Sequence, residues 1–547
     1  MRMRKYTFFI ISLTSFFLIM CSHKVTEIGE PNTDIKTPIE EESKTEKNTE
    51  TTDYSGPPRL VKVEAVDTLN SKTKFSIQVE GKGIENGSFF IRLDEGNPPN
   101  TLDFFKSENG YWYFNGGSND RPTPNIYDNS HVDEDGRKGF FSHTFSMTNW
   151  PDSLYSFICG WHNRPQPGAY MSLVGHIILK NGKPYSYEKQ SNVPDIKHIV
   201  VYSESGGYAS FPELFVLDGE YKIGTSFGVN YSRSHLDGKN KSHRLISNDG
   251  GKTWKETSES LIDIRWKTSS GKLEIPAAQG WIFTDPAKYD ELIEDQRIVM
   301  SSADGQIAYL GAAYVRTSSD NGKTWQSKTI SIPDDCSGLM NHHTSSSYIT
   351  TTSGAMIRAV YGRRKKYFND SRKDEIYFIR SDDNGQNWVV YPMFESGVKN
   401  LEVSGFNETA ILETSSGSLI VLMRSVPEGN LWQSESNDGG LTWSTPIKTP
   451  MQGYPASLLR LHDDRLLAIY GRRRIPMGIR ATISNDDGEK WDIEKELIIR
   501  NDGLGNPSDL GYPVMHELPN NSIVCVYYIT TDNINTHIAS SIFKIPY

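Results

Sequence analysis

Cysteine is scarce: four residues in 547, at Cys21, Cys159, Cys336 and Cys525. Cys21 stands apart near the start, and the other three are far apart and odd in number, which excludes a disulfide framework and leaves room for one bridge at most. Basic residues are not in excess. Lys and Arg total 58 against 68 Asp and Glu, a net charge of -10. That balance argues against a nucleic-acid partner. No long helical periodicity is present to compete with a β reading. Metal-ligand spacing is also missing: CGWH, from Cys159 to His162, offers half a site and nothing supplies the other half. We therefore expect no metal and no cofactor.

The first residues carry Arg2, Arg4 and Lys5, then an apolar run from Phe8 to Met20, then Cys21. A charged start and a short apolar core read as an export signal over 1–20. The run is too short to span a bilayer comfortably. A Cys directly after it resembles a bacterial lipoprotein signal, although Met20 stands where a small residue is usual. The resemblance implies lipidation at Cys21 and a membrane-anchored protein, periplasmic or on the cell surface. Residues 21–56 are rich in Thr, Glu, Lys and Ser and poor in large apolar groups. Such a segment cannot bury enough surface to fold, so it reads as a tether.

Residues 57–190 contain LVKVEAV, KFSIQVE, SFFIRL, YWYF and LVGHIIL. Apolar and polar residues alternate in them, as in antiparallel strands with one buried face. The expected form is a β-sandwich, serving as a carbohydrate-binding module or as a spacer.

Five copies of one pattern occupy the remainder. They begin at Ser247 (SNDGGKTW), Ser318 (SSDNGKTW), Ser381 (SDDNGQNW), Ser436 (SNDGGLTW) and Ser484 (SNDDGEKW). Such recurrence marks a repeat architecture. The Asp closes a turn by accepting backbone N–H groups, the Gly takes a conformation costly for other residues, and the Trp is an apolar plug between units. Around each copy lie short Ile-, Val-, Leu- and Tyr-rich runs that read as four strands, a propeller blade. Leu510–Phe543 reads as a sixth unit without a box, closed by the strand near Ile199–Tyr202.

The repeated box is the Asp-box, and five of them resemble the sialidase (neuraminidase) superfamily over about 195–547. The resemblance implies an all-β fold: a six-bladed β-propeller with Asp-boxes, preceded here by the sandwich-like domain. It implies a sialidase-like exo-glycoside hydrolase removing a terminal acidic sugar from glycans. In that family a Tyr nucleophile is activated by a Glu, and three arginines hold the sugar carboxylate. DLGYPVMHEL resembles the segment with the nucleophile, at Tyr512. NETAILETSSGSLIVLMR resembles the segment with the activating Glu, at Glu408. Arg480, in GIRATIS, resembles a clamp arginine in position. Arg424 and Arg472 occupy matching places, each 12 residues before the Ser of its box. The general acid belongs in the loop VNYSRSHLDGKNKSHR, where Asp237 and His235 are the candidates. His342 and His343 precede another innermost strand and are a further possibility.

One departure bears on substrate. The family carries Arg-Ile-Pro in the first blade; here the residues are Ser210, Phe211 and Pro212. Arg233 or Arg244 is positioned to compensate. The departure keeps two other readings open: a propeller glycosidase or polysaccharide lyase acting on a uronate-type sugar with His235 as acid or base, and a non-catalytic carbohydrate-binding lipoprotein.

Overall fold

The computed structural model describes residues 191–546 except 206, 231–240, 302–305, 343–344, 396, 399–400, 427–428, 475, 504–509 and 532–534; within 59–184 it describes strands alone. Asp237, His235, Arg233, His343 and Cys21 all lie outside the described residues. Among the described residues the fold is all-β, with one six-residue α-helix, Tyr289–Glu294, and a few 3-10 turns.

Two antiparallel sheets occupy the 59–184 strands. One has three strands, in the order Arg59–Thr68, Lys72–Glu80, Phe140–Ser146. The other has six, with Gly87–Glu95, Leu154–Asn163 and Met171–Lys180 at its centre.

The repeat region is a succession of small antiparallel sheets. The clearest are Gly405–Glu413, Leu419–Val426, Asn430–Ser436, Ile447–Gln452 and, next in the chain, Ala456–Arg460, Leu466–Arg472, Met477–Ser484, Leu497–Gly503. The final strands, Gly511–Glu517, Ser522–Thr530 and Thr536–Lys544, have no box, and Lys197–Tyr202 pairs antiparallel with the last of them. The beginning of the repeat region thus supplies the outer strand of its final group, as the sequence led us to expect. The pairing Tyr208↔Thr536 joins that group to Tyr208–Val216, Ile223–Asn230 and Lys241–Ser247.

The sequence did not show the insertion between Leu273–Ala278 and Ala313–Ser318. It forms its own three-stranded sheet from Trp281–Thr284, Ile307–Leu310 and Val299–Ser301. Its strands are three or four residues long, too short to give a periodic signal.

The boxes perform the turn chemistry their residues suggest. In the fourth copy the Ser436 hydroxyl donates to Asp438 Oδ1 at 2.8 Å and accepts from Gly440 N at 2.8 Å, while Asp438 Oδ1 also accepts from Thr442 N at 2.9 Å. Hydrogen bonds from the Thr442 hydroxyl and the Thr442 backbone hold the Asp438 carboxyl down at about 2. The Trp443 indole N–H returns to Gly440 O at 3.1 Å, and its ring stacks on Phe378 of the preceding sheet, with centroids 5.1 Å apart. Trp491 likewise donates to Gln433 of the sheet before its own. Each box ties its own turn, and in these two the Trp also reaches the neighbouring sheet. Apolar side chains fill the rest of those gaps. Leu467, Ile469, Ile479 and Ile483 pack with Ile523, Cys525 and Tyr527. Burying one such aliphatic side chain stabilises the fold by about 1.5–3 kcal/mol. Cys336 and Cys525 are both buried free thiols, so no bridge joins them.

Candidate active site

Four strands that open their sheets are interrupted by a two-residue bulge. The pairing slips between Ser210 and Glu213, between Cys336 and Leu339, between Asn407 and Ala410, and between Gly511 and Val514. A bulge bends its strand and re-aims a side chain. In three of the four, the first bulge residue has a left-handed φ without being glycine: Phe211 at 57°, Glu408 at 41° and Tyr512 at 45°. Such backbone is uncommon for bulky residues, and where it occurs it clusters at functional sites.

Two of these residues meet. The Tyr512 hydroxyl donates a short hydrogen bond to Glu408 Oε1. The other oxygen, Oε2, accepts from Arg424 Nη1 at 2.5 Å. Tyr512 and Glu408 are 6% and 7% exposed, so the pair is shielded from bulk water. Burial alone would raise the Glu408 pKa. The Arg424 charge, the His342 ring and the hydrogen bonds from Tyr512 and Arg424 outweigh it and hold the carboxyl below its ordinary value. Burial, with the Glu408 charge beside it, pushes the Tyr512 phenol well above its ordinary value despite Arg424 and Arg473. The resting pair is therefore a neutral phenol donating to a carboxylate.

The surroundings are aromatic and cationic. The Arg424 guanidinium stands 4.6 Å from the Tyr454 ring centre, and that of Arg473 stands 5.2 Å from Tyr454 and 5.7 Å from Tyr512. Arg473 Nε donates to Leu510 O at 3.1 Å, which anchors it beside the strand that carries Tyr512. Phe211 meets Tyr512 edge to face at 4.8 Å, Tyr528 stacks at 5.8 Å, and the buried His342 ring is 6.1 Å away.

The three arginines named from sequence part company here. Arg424 is at the pair. Arg472 is turned to Gln452, 3.4 Å away. Its neighbour Arg473, just past the end of the strand Leu466–Arg472, is the one over Tyr512. Arg480 is 3% exposed, and its guanidinium donates to Ile479 O, Pro476 O and, at 2.6 Å, Asn501 Oδ1. Those bonds hold Arg480 to its own sheet, whereas Arg424 and Arg473 are the arginines beside Tyr512. Arg244 pairs in register with Ser226 on a strand of the first group. Sequence reasoning missed Arg473, Tyr454 and Phe211. The run Arg472–Arg473–Arg474 was a signal for the first of these, but the run by itself does not say which member faces inward.

This arrangement can move a proton from a phenol to a carboxylate and attract an anion to the arginines beside it.

Comparison with known proteins agrees with the repeats. Residues 297–525 match the BNR repeat-like domain and residues 245–256 match the BNR/Asp-box repeat. No curated protein matches the chain. A solved protein of unknown function from Dyadobacter fermentans is 25% identical, with a TM-score of 0.52 over 64% of this chain and 100% of its own. A Hadza microbial sialidase is 13% identical, covering 89% of this chain and 98% of its own at a TM-score of 0.43. The intramolecular trans-sialidase from Ruminococcus gnavus is 15% identical, covering 65% and 97% at a TM-score of 0.41. With five boxes in sequence and their turns formed alike, residues 297–525 carry a BNR repeat-like domain of Asp-box type.

Proposed function

We propose that residues 195–547 form a six-bladed β-propeller acting as an exo-glycoside hydrolase on a terminal acidic sugar, sialic acid or a relative. The observation that carries this reading is the Tyr512–Glu408 hydrogen bond, formed by two left-handed bulge residues with Arg424 on the far carboxylate oxygen.

The chemistry follows from charge. An acidic sugar carries a carboxylate, which would repel an anionic nucleophile. A neutral Tyr512 approaches without that repulsion. As its oxygen bonds to the anomeric carbon, its proton passes to Glu408. The bond from that carbon to the leaving oxygen breaks, and an acid from the 231–240 loop, Asp237 or His235, protonates the leaving oxygen. Water then attacks the same carbon, giving its proton back to the acid that served the leaving oxygen, and releases Tyr512, which recovers its proton from Glu408. Arg424 and Arg473 attract the sugar carboxylate. When Arg424 turns toward it, its hold on Glu408 weakens and Glu408 becomes a better base. No metal or cofactor enters this scheme. We also carry forward export and lipidation at Cys21, with a glycan as the partner outside the cytoplasm.

The test is release of sugar from an aryl sialoside by a soluble form starting near Gly56. Clear release supports the reading. A folded sample that releases nothing from sialosides but yields a new ultraviolet absorbance on uronate glycans would favour the lyase, the reading that the Ser210–Phe211 departure supports. Inertness towards every substrate would leave a carbohydrate binder.

A further inference from the structure

The three left-handed bulge residues are Tyr512, Glu408 and Phe211, and only the first two have a part in the proposed reaction. The fourth bulge has a positive φ only at its second residue, Gly338 at 137°, where glycine adopts the backbone without strain. At Phe211 a large ring sits at φ 57°, backbone uncommon for a bulky residue. Strain of this kind persists where the surroundings over-determine it and the side chain has a use.

Phe211 is also placed for a use. It shares its bulge position with Tyr512, each is followed by a proline (Pro212 and Pro513), and its ring meets Tyr512 edge to face at 4.8 Å and Tyr528 at 5.5 Å. The residues just before it, Tyr208, Ala209 and Ser210, are 1%, 1% and 2% exposed, whereas Phe211 is only half-buried. Its ring packs on Tyr512, and the residue as a whole keeps exposure that its three predecessors lack.

We propose that Phe211 is a specificity-determining wall of the site, contacting the C–H face of the bound sugar beside the reacting carbon. The inference rests on the proposed glycan-cleaving role and adds to it the kind of substrate surface the site admits. The sugar's charge is met on one side by Arg424 and Arg473, and its apolar face is met on the other by an aromatic ring. Apolar and aromatic linings with a few convergent polar groups are how small-ligand sites fix orientation. A polar or charged substituent directed at Phe211 would lose its water without gaining a partner.

The experiment compares wild type with Phe211→Ala and Phe211→Asn. Asn accepts left-handed backbone more readily than other non-glycine residues, so this variant removes the ring without adding backbone strain. Kinetics are read on the 4-methylumbelliferyl glycosides of N-acetylneuraminic acid and of glucuronic acid. Binding of N-acetylneuraminate and glucuronate is read by saturation-transfer NMR. The expected result is a KM, and a Kd for the free acid, raised about tenfold in both variants, with kcat changed by less than about threefold. A folded Phe211→Asn protein with unchanged KM and Kd overturns the inference. If wild type binds an acid but cleaves neither glycoside, the hydrolase reading fails and the Kd comparison alone decides Phe211. If wild type binds neither acid, both fail.

Discussion

Tyr512 and Glu408 are 104 residues apart in the chain and share one short hydrogen bond. Each sits at the first position of a bulge, with φ of 45° and 41°. The same backbone device, used in two different sheets, turns two side chains toward each other. Arg424 completes the contact by taking the second carboxylate oxygen.

Replacing Tyr512 by Phe removes the oxygen that attacks and keeps the ring that packs against Phe211 and Tyr528. We expect kcat to fall by about a thousandfold or more with ligand affinity little changed. Steady-state kinetics and calorimetric titration with the free sugar check both halves. Retention of near wild-type turnover would remove Tyr512 from the mechanism.

The three arginines of the fifth repeat should separate cleanly. Arg473→Ala should raise KM about tenfold or more, since a guanidinium that meets a carboxylate is lost. Arg472→Ala should stay within about threefold of wild type, as its contact is with Gln452. Arg480→Ala should leave KM alone and lower stability by about 1–3 kcal/mol, because it strips partners from buried acceptors. Urea unfolding with parallel kinetics distinguishes the three. A large KM effect from Arg480→Ala would assign it to the clamp.

The boxes should matter for stability and not for chemistry. Asp438→Ala loses the acceptor of Ser436, Leu441 and Thr442. The cost should be about 1 kcal/mol, comparable to losing a helix cap. Gly440→Ala should cost about 1 kcal/mol or more: its φ is 92°, and a Cβ there would stand 3.2 Å from Leu419 Cδ1. Thermal unfolding reads both, and kcat should be unchanged in each. A selective loss of kcat at full stability would contradict a structural role.

One partly buried histidine gives a pH signature. Burial, with Arg265 nearby, lowers the His516 pKa from 6.5 to about 4. The folded value lies below the unfolded one, so folding favours the neutral ring. Stability from this group is fully present above pH 6.5 and is lost progressively as pH falls toward 4. Carboxylates push in the same direction, so the measurement is a difference: Tm of wild type minus Tm of His516→Gln across that window. The gap should narrow as pH falls, and a constant gap would refute the shift.

Much of the repeat region was legible because local rules and packing agree there. Ser, Asp, Gly and Trp at fixed spacing specify a turn and a plug, and the structure forms both at Ser436–Trp443. The insertion carrying Trp281–Thr284 escaped because short strands with no box between them leave no period to read. The pair Tyr512 and Glu408 was named from family resemblance to their segments, and not from spacing.

By itself the sequence determined the repeat, the all-β class and the acidic charge balance, and it offered the side chains from which a site could be built. These depend on local chemistry: which side chains close turns, which alternate along strands, and which can carry charge. Tertiary structure alone decided which of them meet. The Arg473 guanidinium stands over Tyr512, while Arg472, the last residue of its strand, reaches Gln452. Arg480 donates to the Ile479 and Pro476 carbonyls and to Asn501. Phe211 joins Tyr512 because two bulges, three hundred residues apart in the chain, bend their strands to the same place. Bulge position and register are settled by how neighbouring strands pair, and that information is spread over every strand in the sheet.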